Sequence, residues 1–420
     1  MRQRLEKAKQ TATTLVRRHR PDYQIILFMG VLMLLGLVVL YSISTARVEF
    51  INTSGSSLDQ AHFMQRQLLY LLAGLVGFAV AASVPLRIWQ KYASKILLLS
   101  FAACVLLAIT GALEIWPALC TSGACRWFDV GFGTFQPAEL VKFGLLLFLA
   151  GFLGRKMAQG KVNSLSDTLI PLGVIVGLAA FFIVVLQKDM GTGIAVFGLV
   201  ITMLFMAGLN RRNGLLVGGA LLALSVVMII IAPHRLERVA TFLDPSRDTR
   251  DSSYHIRQAK IAIGSGGLFG VGLGQGVQAF GYLPEAVNDS IFAVMGEVFG
   301  FVGLVATLAL FVVLLLRILM ITDRLHDPPM KLLAAGVFGW VGTHTVVNIG
   351  AMIGIFPLTG VTLPLLSFGG TSLLFIMMAL GLVFQVSRYT SHVKDKGDDN
   401  ENSYGRRGVG RTRHASSSRY

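Results

Sequence analysis

The stretch TLIPLGVIVGLAAFFIVVLQKDMGTGIAVFGLVITMLFMAG, from Thr168 to Gly208, decides the fold. It holds two long apolar runs separated only by Gln187 and Lys188. A helix of roughly 20 apolar residues matches the hydrocarbon thickness of a bilayer. Neither run alternates apolar with polar residues, as the strands of a membrane barrel would. Lipid offers the backbone no hydrogen bonds, so each run satisfies its own as a helix. The short break predicts a tight turn at one membrane surface, with Asp189 opening the second helix.

Working outward, the same reading places spans near residues 24–44, 67–84, 95–113, 137–154, 168–186, 189–208, 213–232, 290–320, 331–354 and 366–387. The expected fold class is all-α: a polytopic membrane protein of about ten transmembrane helices. Composition agrees. Of 420 residues, 54% are hydrophobic and only 14% charged, with mean hydropathy +0.67. A soluble core does not absorb that much apolar sequence.

The formal net charge is +15. On a soluble domain this would point to nucleic acid. Here the basic residues lie in short loops and tails, where they set orientation. Arg87, Lys91 and Lys95, then Arg155, Lys156 and Lys161, then Arg211 and Arg212, then Arg317, Arg324 and Lys331 alternate with loops holding only Arg47, Arg66, Arg126 and Lys188. The alternation predicts both termini in the cytoplasm. A basic arm covers 1–22, the transmembrane domain 23–390, and a polar tail, expected to be disordered and cytoplasmic, 391–420. The first apolar run is too long for a cleavable signal and lacks a small-residue cleavage site. The loop over 233–289 is far longer than the others, which marks it as an outer loop carrying function.

Ionisable groups at the rim of a membrane domain are costly and are functional candidates. Arg126-Trp127 and Gln136-Pro137-Ala138-Glu139 with Lys142 lead into the fourth span. Gln187 to Thr192 opens the sixth. Arg235, Arg238 and Asp244-Pro245 begin the long loop, and YLPEAVNDS, Tyr282–Ser290, closes it. Each has a plainer reading. Glu139 and Lys142 can pair across one helical turn. Asp189 and Asp289 can cap helices, and spacing alone favours capping over catalysis for both. His344 and Asn348, one turn apart, suit interhelical hydrogen bonds. Cys120 and Cys125 share one outer loop, where a disulfide and two free thiols are both open. The glycines from Gly264 to Gly276 follow no strand, which excludes a dinucleotide loop. No phosphate-loop run indicates nucleotide hydrolysis.

Together these segments resemble the SEDS family of peptidoglycan glycosyltransferases, from about Asp22 to Arg388. The residues carrying the resemblance are Arg66-Gln67, Arg126-Trp127, QPAELVKF at 136–143, QKDMGTG at 187–193, FLDP at 242–245, IAIGSGGLFGVGLGQG at 261–276, YLPEAVNDSIFAVMGE at 282–297, NIG at 348–350 and LTGVTLPLLSFGGTSLL at 358–374. The wording at 282–286 and 359–364 is closer to the division branch than to the elongation branch. Val287-Asn288-Asp289-Ser290 departs from the family's usual His-Thr-Asp-Phe but keeps the aspartate.

The resemblance implies a glycosyltransferase that polymerises lipid II into β-1,4-linked glycan at the outer face of the bacterial cytoplasmic (inner) membrane, for the septal wall. It implies Asp289 as general base. Arg66, Arg126, Trp127, Arg238 and Glu285 are expected to bind substrate and its pyrophosphate, with Glu139, Lys142, Asp189 and Glu297 as a supporting network. A divalent cation, Mg²⁺ or Mn²⁺, is expected to assist, with metal ligands unknown and no nucleotide. Expected partners are lipid II, a class B penicillin-binding transpeptidase and other division-complex membrane proteins, with no nucleic acid. The competing readings are a lipid II flippase and a non-catalytic scaffold of the division machinery.

Overall fold

The structure is a computed structural model that describes residues 20–53, 55, 57–121, 124–131, 133–230, 236, 238, 240, 242 and 252–390. Most of the basic arm, Arg235, Asp244-Pro245 and the tail 391–420 lie outside the described residues. Eleven helices and one small sheet make up the rest. In chain order they are α1 (Tyr23–Thr53), α2 (His62–Ser83), α3 (Leu86–Ala112), β1 (Ala118–Thr121), β2 (Ala124–Asp129), β3 (Thr134–Phe135) and α4 (Pro137–Ala158). There follow α5 (Leu165–Leu186), α6 (Met190–Met206), α7 (Arg211–Ile230), α8 (Ser252–Ser265), α9 (Ile291–Arg324), α10 (Pro328–Met352) and α11 (Gly370–Val386).

Among the described residues nine helices are long and apolar enough to cross a membrane, and the 17-residue α6 is the tenth apolar helix. At 1.5 Å per residue α6 spans about 25 Å, a little short of a bilayer core of about 30 Å. The chain is a polytopic membrane protein. Its most enclosed spans are α4, α10 and α11, while α7 buries no residue. From Val141 to Leu153 the buried residues of α4 are apolar except for Lys142.

Successive spans alternate direction, so every second connection falls on the same side. The face carrying the long loop also carries the β-sheet, the Gln187–Lys188 turn and the segment 353–369. The opposite face is clasped by Asp22. Its carboxylate meets the Arg317 guanidinium at 2.5 Å, and its backbone N–H donates to Ser387 Oγ at 2.9 Å.

Several boundaries differ from the sequence reading, each for a physical reason. The helix α1 runs nine residues past 44. Its polar outer turns are held from outside, with Ser44 Oγ donating to Gln60 O at 3.2 Å and Arg47 lying over the Phe50 ring. The helix α3 begins at Leu86 rather than 95. Arg87, Lys91 and Lys95 repeat every four residues along one face, a helical stripe that hydropathy alone passes over. Arg66 lies inside α2, not in the preceding loop. The outer loop after α3 forms a three-stranded antiparallel sheet in the order β1-β2-β3. Cys120 and Cys125 are cross-strand partners there and are joined by a disulfide.

Candidate active site

Two aspartates enter helices at the long-loop face, and their surroundings differ. Asp189 follows Lys188, whose φ of 54° makes the tight turn expected between α5 and α6. Asp189 is the N-cap of α6. Its Oδ1 accepts from Thr192 N at 2.9 Å, and its Oδ2 accepts from Thr192 Oγ1 at 2.8 Å and Gln136 Nε2 at 2.9 Å. The first satisfies an orphan helix donor, and with all three made the carboxylate has little left for substrate.

Asp289 does not cap α9. That position belongs to Ser290, which makes no side-chain cap bond. The expected capping role is therefore corrected for Asp289 and holds for Asp189. Asp289 is 9% exposed, and its Oδ1 is buried with no hydrogen-bond partner. Burial is the largest influence on its carboxyl and, with the nearby Glu285 carboxylate, raises its pKa from 3.8 to about 7, against a hydrogen bond from its own backbone N–H, the Arg238 charge and a hydrogen bond with Ser290. A carboxyl at that value is poised to exchange a proton at neutral pH.

The backbone around Asp289 is fixed from three sides. Asn348 Nδ2, on α10, donates to Asp289 O and to Val361 O, both at 2.7 Å. Phe368 N donates to Val287 O at 2.9 Å. Ser290 Oγ donates to Pro284 O at 2.8 Å. Ser290 Oγ also lies 2.6 Å from His255 Nε2. Burial lowers the His255 pKa to about 4, so this imidazole is neutral at pH 7. His255 lies on α8, an amphipathic helix that the sequence reading missed. Nothing in the spacing of the residues around His255 marks it.

The cations divide into spent and available. Arg126, on β2, donates through Nε to Gln187 O at 3.2 Å and through Nη2 to Lys188 O at 2.9 Å. It clamps the α5–α6 turn, which leaves only Nη1 without a protein partner among the described residues. Arg238 donates Nη1 to Leu358 O at 3.2 Å and lies within electrostatic reach of Asp289, Asp189 and Arg126. Arg66 forms no hydrogen bond or ion pair among the described residues. It shares a helical face with Phe63 and Tyr70, both packed on Phe368. Trp127 follows Arg126 on β2, and successive strand residues point to opposite faces, so the two side chains project from opposite sides of the strand. Glu285 is exposed, with φ 48°, and its Oε2 accepts from Asn288 Nδ2 at 2.5 Å.

Beneath the site, Lys142 Nζ donates to Glu139 Oε1 at 2.8 Å and to His344 Nε2 at 3.0 Å, under the Trp340 ring at 4.9 Å. His344 Nδ1 faces Thr362 O at 3.3 Å; a carbonyl only accepts, which fixes the tautomer. Asp189 is tied to the start of the same helix by Gln136, the N-cap of α4. Glu297 does not join it at all. Its carboxylate faces the glycine-rich segment, where it accepts from Val277 N at 2.7 Å and Gln278 N at 3.2 Å. Its expected place in the network is corrected. Among the described residues, no three His, Cys, Asp or Glu side chains converge as a metal cage.

With this geometry in place, comparison with known proteins is informative. The FTSW_RODA_SPOVE family, described as "Cell cycle protein", matches residues 23–392. This chain belongs to the FtsW/RodA/SpoVE family. It is 34% identical to "Stage V sporulation protein E" of Bacillus subtilis (strain 168), over 89% of this chain and 98% of that one. It is 37% identical to "Probable peptidoglycan glycosyltransferase FtsW" of Aliivibrio salmonicida (strain LFI1238), over 87% of this chain and 88% of that one. Among solved structures, a chain from "Structural coordination of polymerization and crosslinking by a peptidoglycan synthase complex" superposes with TM-score 0.70. It has 29% identity and covers 88% of this chain and 98% of its own. The Thermus thermophilus Rod shape determining protein RodA gives TM-score 0.62 at 27% identity, over 89% and 98%. This FtsW/RodA/SpoVE member therefore matches its relatives along nearly their whole length.

Proposed function

We propose that this chain is an inverting peptidoglycan glycosyltransferase that polymerises lipid II at the outer face of the bacterial cytoplasmic membrane, in the septal wall. One observation carries the reading. Asp289 is a carboxyl of pKa about 7 with an unpartnered oxygen, on the long-loop face, within electrostatic reach of Arg238. Arg87, Lys91, Arg155, Lys156, Arg211, Arg212 and Lys331 cluster at the opposite face, which the positive-inside rule assigns to the cytoplasm. Asp289 then lies at the outer-leaflet side of the membrane.

The reaction follows from these groups. Asp289 takes the proton of the GlcNAc 4-hydroxyl of one lipid II. The resulting oxygen bonds to the MurNAc anomeric carbon of the growing chain while the bond from that carbon to pyrophosphate breaks. Undecaprenyl pyrophosphate carries away the electron pair, and the new β-1,4 link has inverted configuration. Arg238, within electrostatic reach of Asp289, and Arg66 are the proposed partners for the negative charge that builds on the leaving group, because a guanidinium grips phosphate oxygens in a fork. Arg126 acts mainly by holding the α5–α6 turn. A divalent cation would come with the pyrophosphate and offset its charge; among the described residues no three His, Cys, Asp or Glu side chains converge to hold it. A class B penicillin-binding transpeptidase is the proposed partner, with other division-complex membrane proteins around the pair.

The test is glycan synthesis by purified protein in detergent supplied with lipid II. A polymerase makes glycan there, and Asp289→Asn removes the product. A flippase makes none, and a scaffold works as well with Asn at 289. The flippase reading draws on the break in α9 at Gly300, since discontinuous helices are common in transporters.

A further inference from the structure

The break in α9 divides it into a nine-residue helix, 291–299, and a longer one from 301 to Arg324. At Gly300 the backbone turns to φ 66°, ψ −167°. A broken helix leaves carbonyls unpaired at the end of its first part and N–H groups unpaired at the start of its second. At the edge of a membrane such groups need protein partners. The glycine-rich segment supplies them on both sides. Val271 N donates to Glu297 O at 2.9 Å and Gly272 N to Val298 O at 3.1 Å. Phe301 N donates to Gly267 O at 2.9 Å and Val302 N to Leu268 O at 3.1 Å. Residues 267–272 thus splint the fracture. This close approach explains two glycines. A Cβ at Gly270 or at Gly300 would strike the other segment's backbone, and both residues have positive φ.

The Glu297 side chain completes the splint. It is 3% exposed. It sits on the short helix that starts immediately after Asp289 and Ser290. Its Oε1 accepts from Val277 N at 2.7 Å and Gln278 N at 3.2 Å, and its Oε2 from Gln278 N at 3.3 Å. Ser42 Oγ on α1 accepts from Gly274 N at 2.8 Å, which anchors the same segment to the first span. The short helix is joined to its own span through one glycine, and its orientation is set by the splint and by Glu297.

We propose that Glu297 is a positioning residue for glycan polymerisation: it fixes the short helix that aims Asp289, by accepting two backbone N–H groups of the glycine-rich segment. The proposal rests on Asp289 being the base. A carboxylate is not required for this role, only an acceptor at Oε1. A glutamine keeps that acceptor, an alanine abolishes it, and an aspartate withdraws it by one methylene.

The experiment compares full-length Glu297→Gln, Glu297→Ala and Glu297→Asp with wild type, in detergent with lipid II. Initial rates are read against pH, alongside hydrogen exchange at the amides of 270–278. Glu297→Gln is expected within about threefold of wild type. Glu297→Ala is expected to lose kcat by at least about tenfold, with KM within about twofold and the pH midpoint displaced. Amides at Val271, Gly272, Val277 and Gln278 should exchange faster in Glu297→Ala than in Glu297→Gln. Full activity in Glu297→Ala overturns the proposal. So does a Glu297→Gln as inactive as Glu297→Ala, which would make Glu297 itself an acid or base. If Glu297→Ala does not fold, Glu297→Asp decides: an intermediate rate supports the proposal, and a wild-type rate with unchanged exchange overturns it. Loss of the Asp289 reading is seen separately, as an Asp289→Asn enzyme that still polymerises while the exchange pattern stands.

Discussion

Asp189 and Asp289 both stand at the start of a helix on the same face, yet one is closed and the other open. Asp189 accepts three hydrogen bonds and holds the α5–α6 turn to α4. Asp289 keeps a buried oxygen without a partner and a carboxyl pushed up to about 7. The difference teaches how a helix entrance becomes a reaction centre. At Asp189 the folding energy of the carboxylate is realised in capping. At Asp289 the cap position passes to Ser290, and burial of the carboxylate outweighs the hydrogen bonds and the Arg238 charge that favour its ionised form. A buried oxygen without a partner costs stability and is retained where it serves chemistry.

The largest expected effect comes from Asp289. Asp289→Asn should lower glycan polymerisation by about 100-fold or more, since a general base contributes roughly that much. Its melting temperature should match or exceed wild type, because the buried charge is gone. Next is Lys142→Met, which leaves Glu139 buried without its counter-charge. A loss of about 3–5 kcal/mol is expected, read by thermal unfolding in detergent. Asp189→Ala should cost about 1–3 kcal/mol through the lost cap and bridge. Its kcat should fall far less than that of Asp289→Asn; an equal fall in kcat would erase the contrast between the two sites. Cleaving the Cys120–Cys125 bond should add two reactive thiols and cost about 2 kcal/mol or less, given the short loop it closes.

The smallest effect sharpens the comparison further. Glu285 raises the Asp289 pKa, so Glu285→Gln should move the pH midpoint of activity downward. The sign for stability runs the other way from the usual aspartate. A raised folded pKa means the native state binds the proton more tightly than the unfolded chain does. Stability from this group is therefore greatest below the unfolded pKa near 3.8 and declines as pH rises toward about 7. Thermal unfolding across that window, with Asp289→Asn as the flat reference, reads it directly.

Much of this was legible in the sequence. Ten spans followed from apolar run length, because lipid imposes one local rule on every crossing segment. The Glu139–Lys142 pair followed from helical spacing, and the α5–α6 turn from Gln187 and Lys188 standing alone between apolar runs. Long-range pairings were not legible. Nothing local in Glu297 says that its carboxylate meets Val277 and Gln278 rather than Lys142. The splint across Gly300 is made of backbone bonds, which leave only glycines as a trace. Arg126 and Trp127 are neighbours in sequence, and it took the strand to send them to opposite faces. Likewise, spacing gave both aspartates the same capping role. Only the three-dimensional accounting of donors told them apart.

The most direct test of the central claim is the initial rate of lipid II polymerisation by the wild-type protein from about pH 5 to 9, with folding verified at each point. The account predicts a rate that climbs about tenfold per pH unit at the acid end and levels off above a midpoint near 7, where Asp289 has lost its proton. A rate that stays level from about pH 5 to 8 would contradict it.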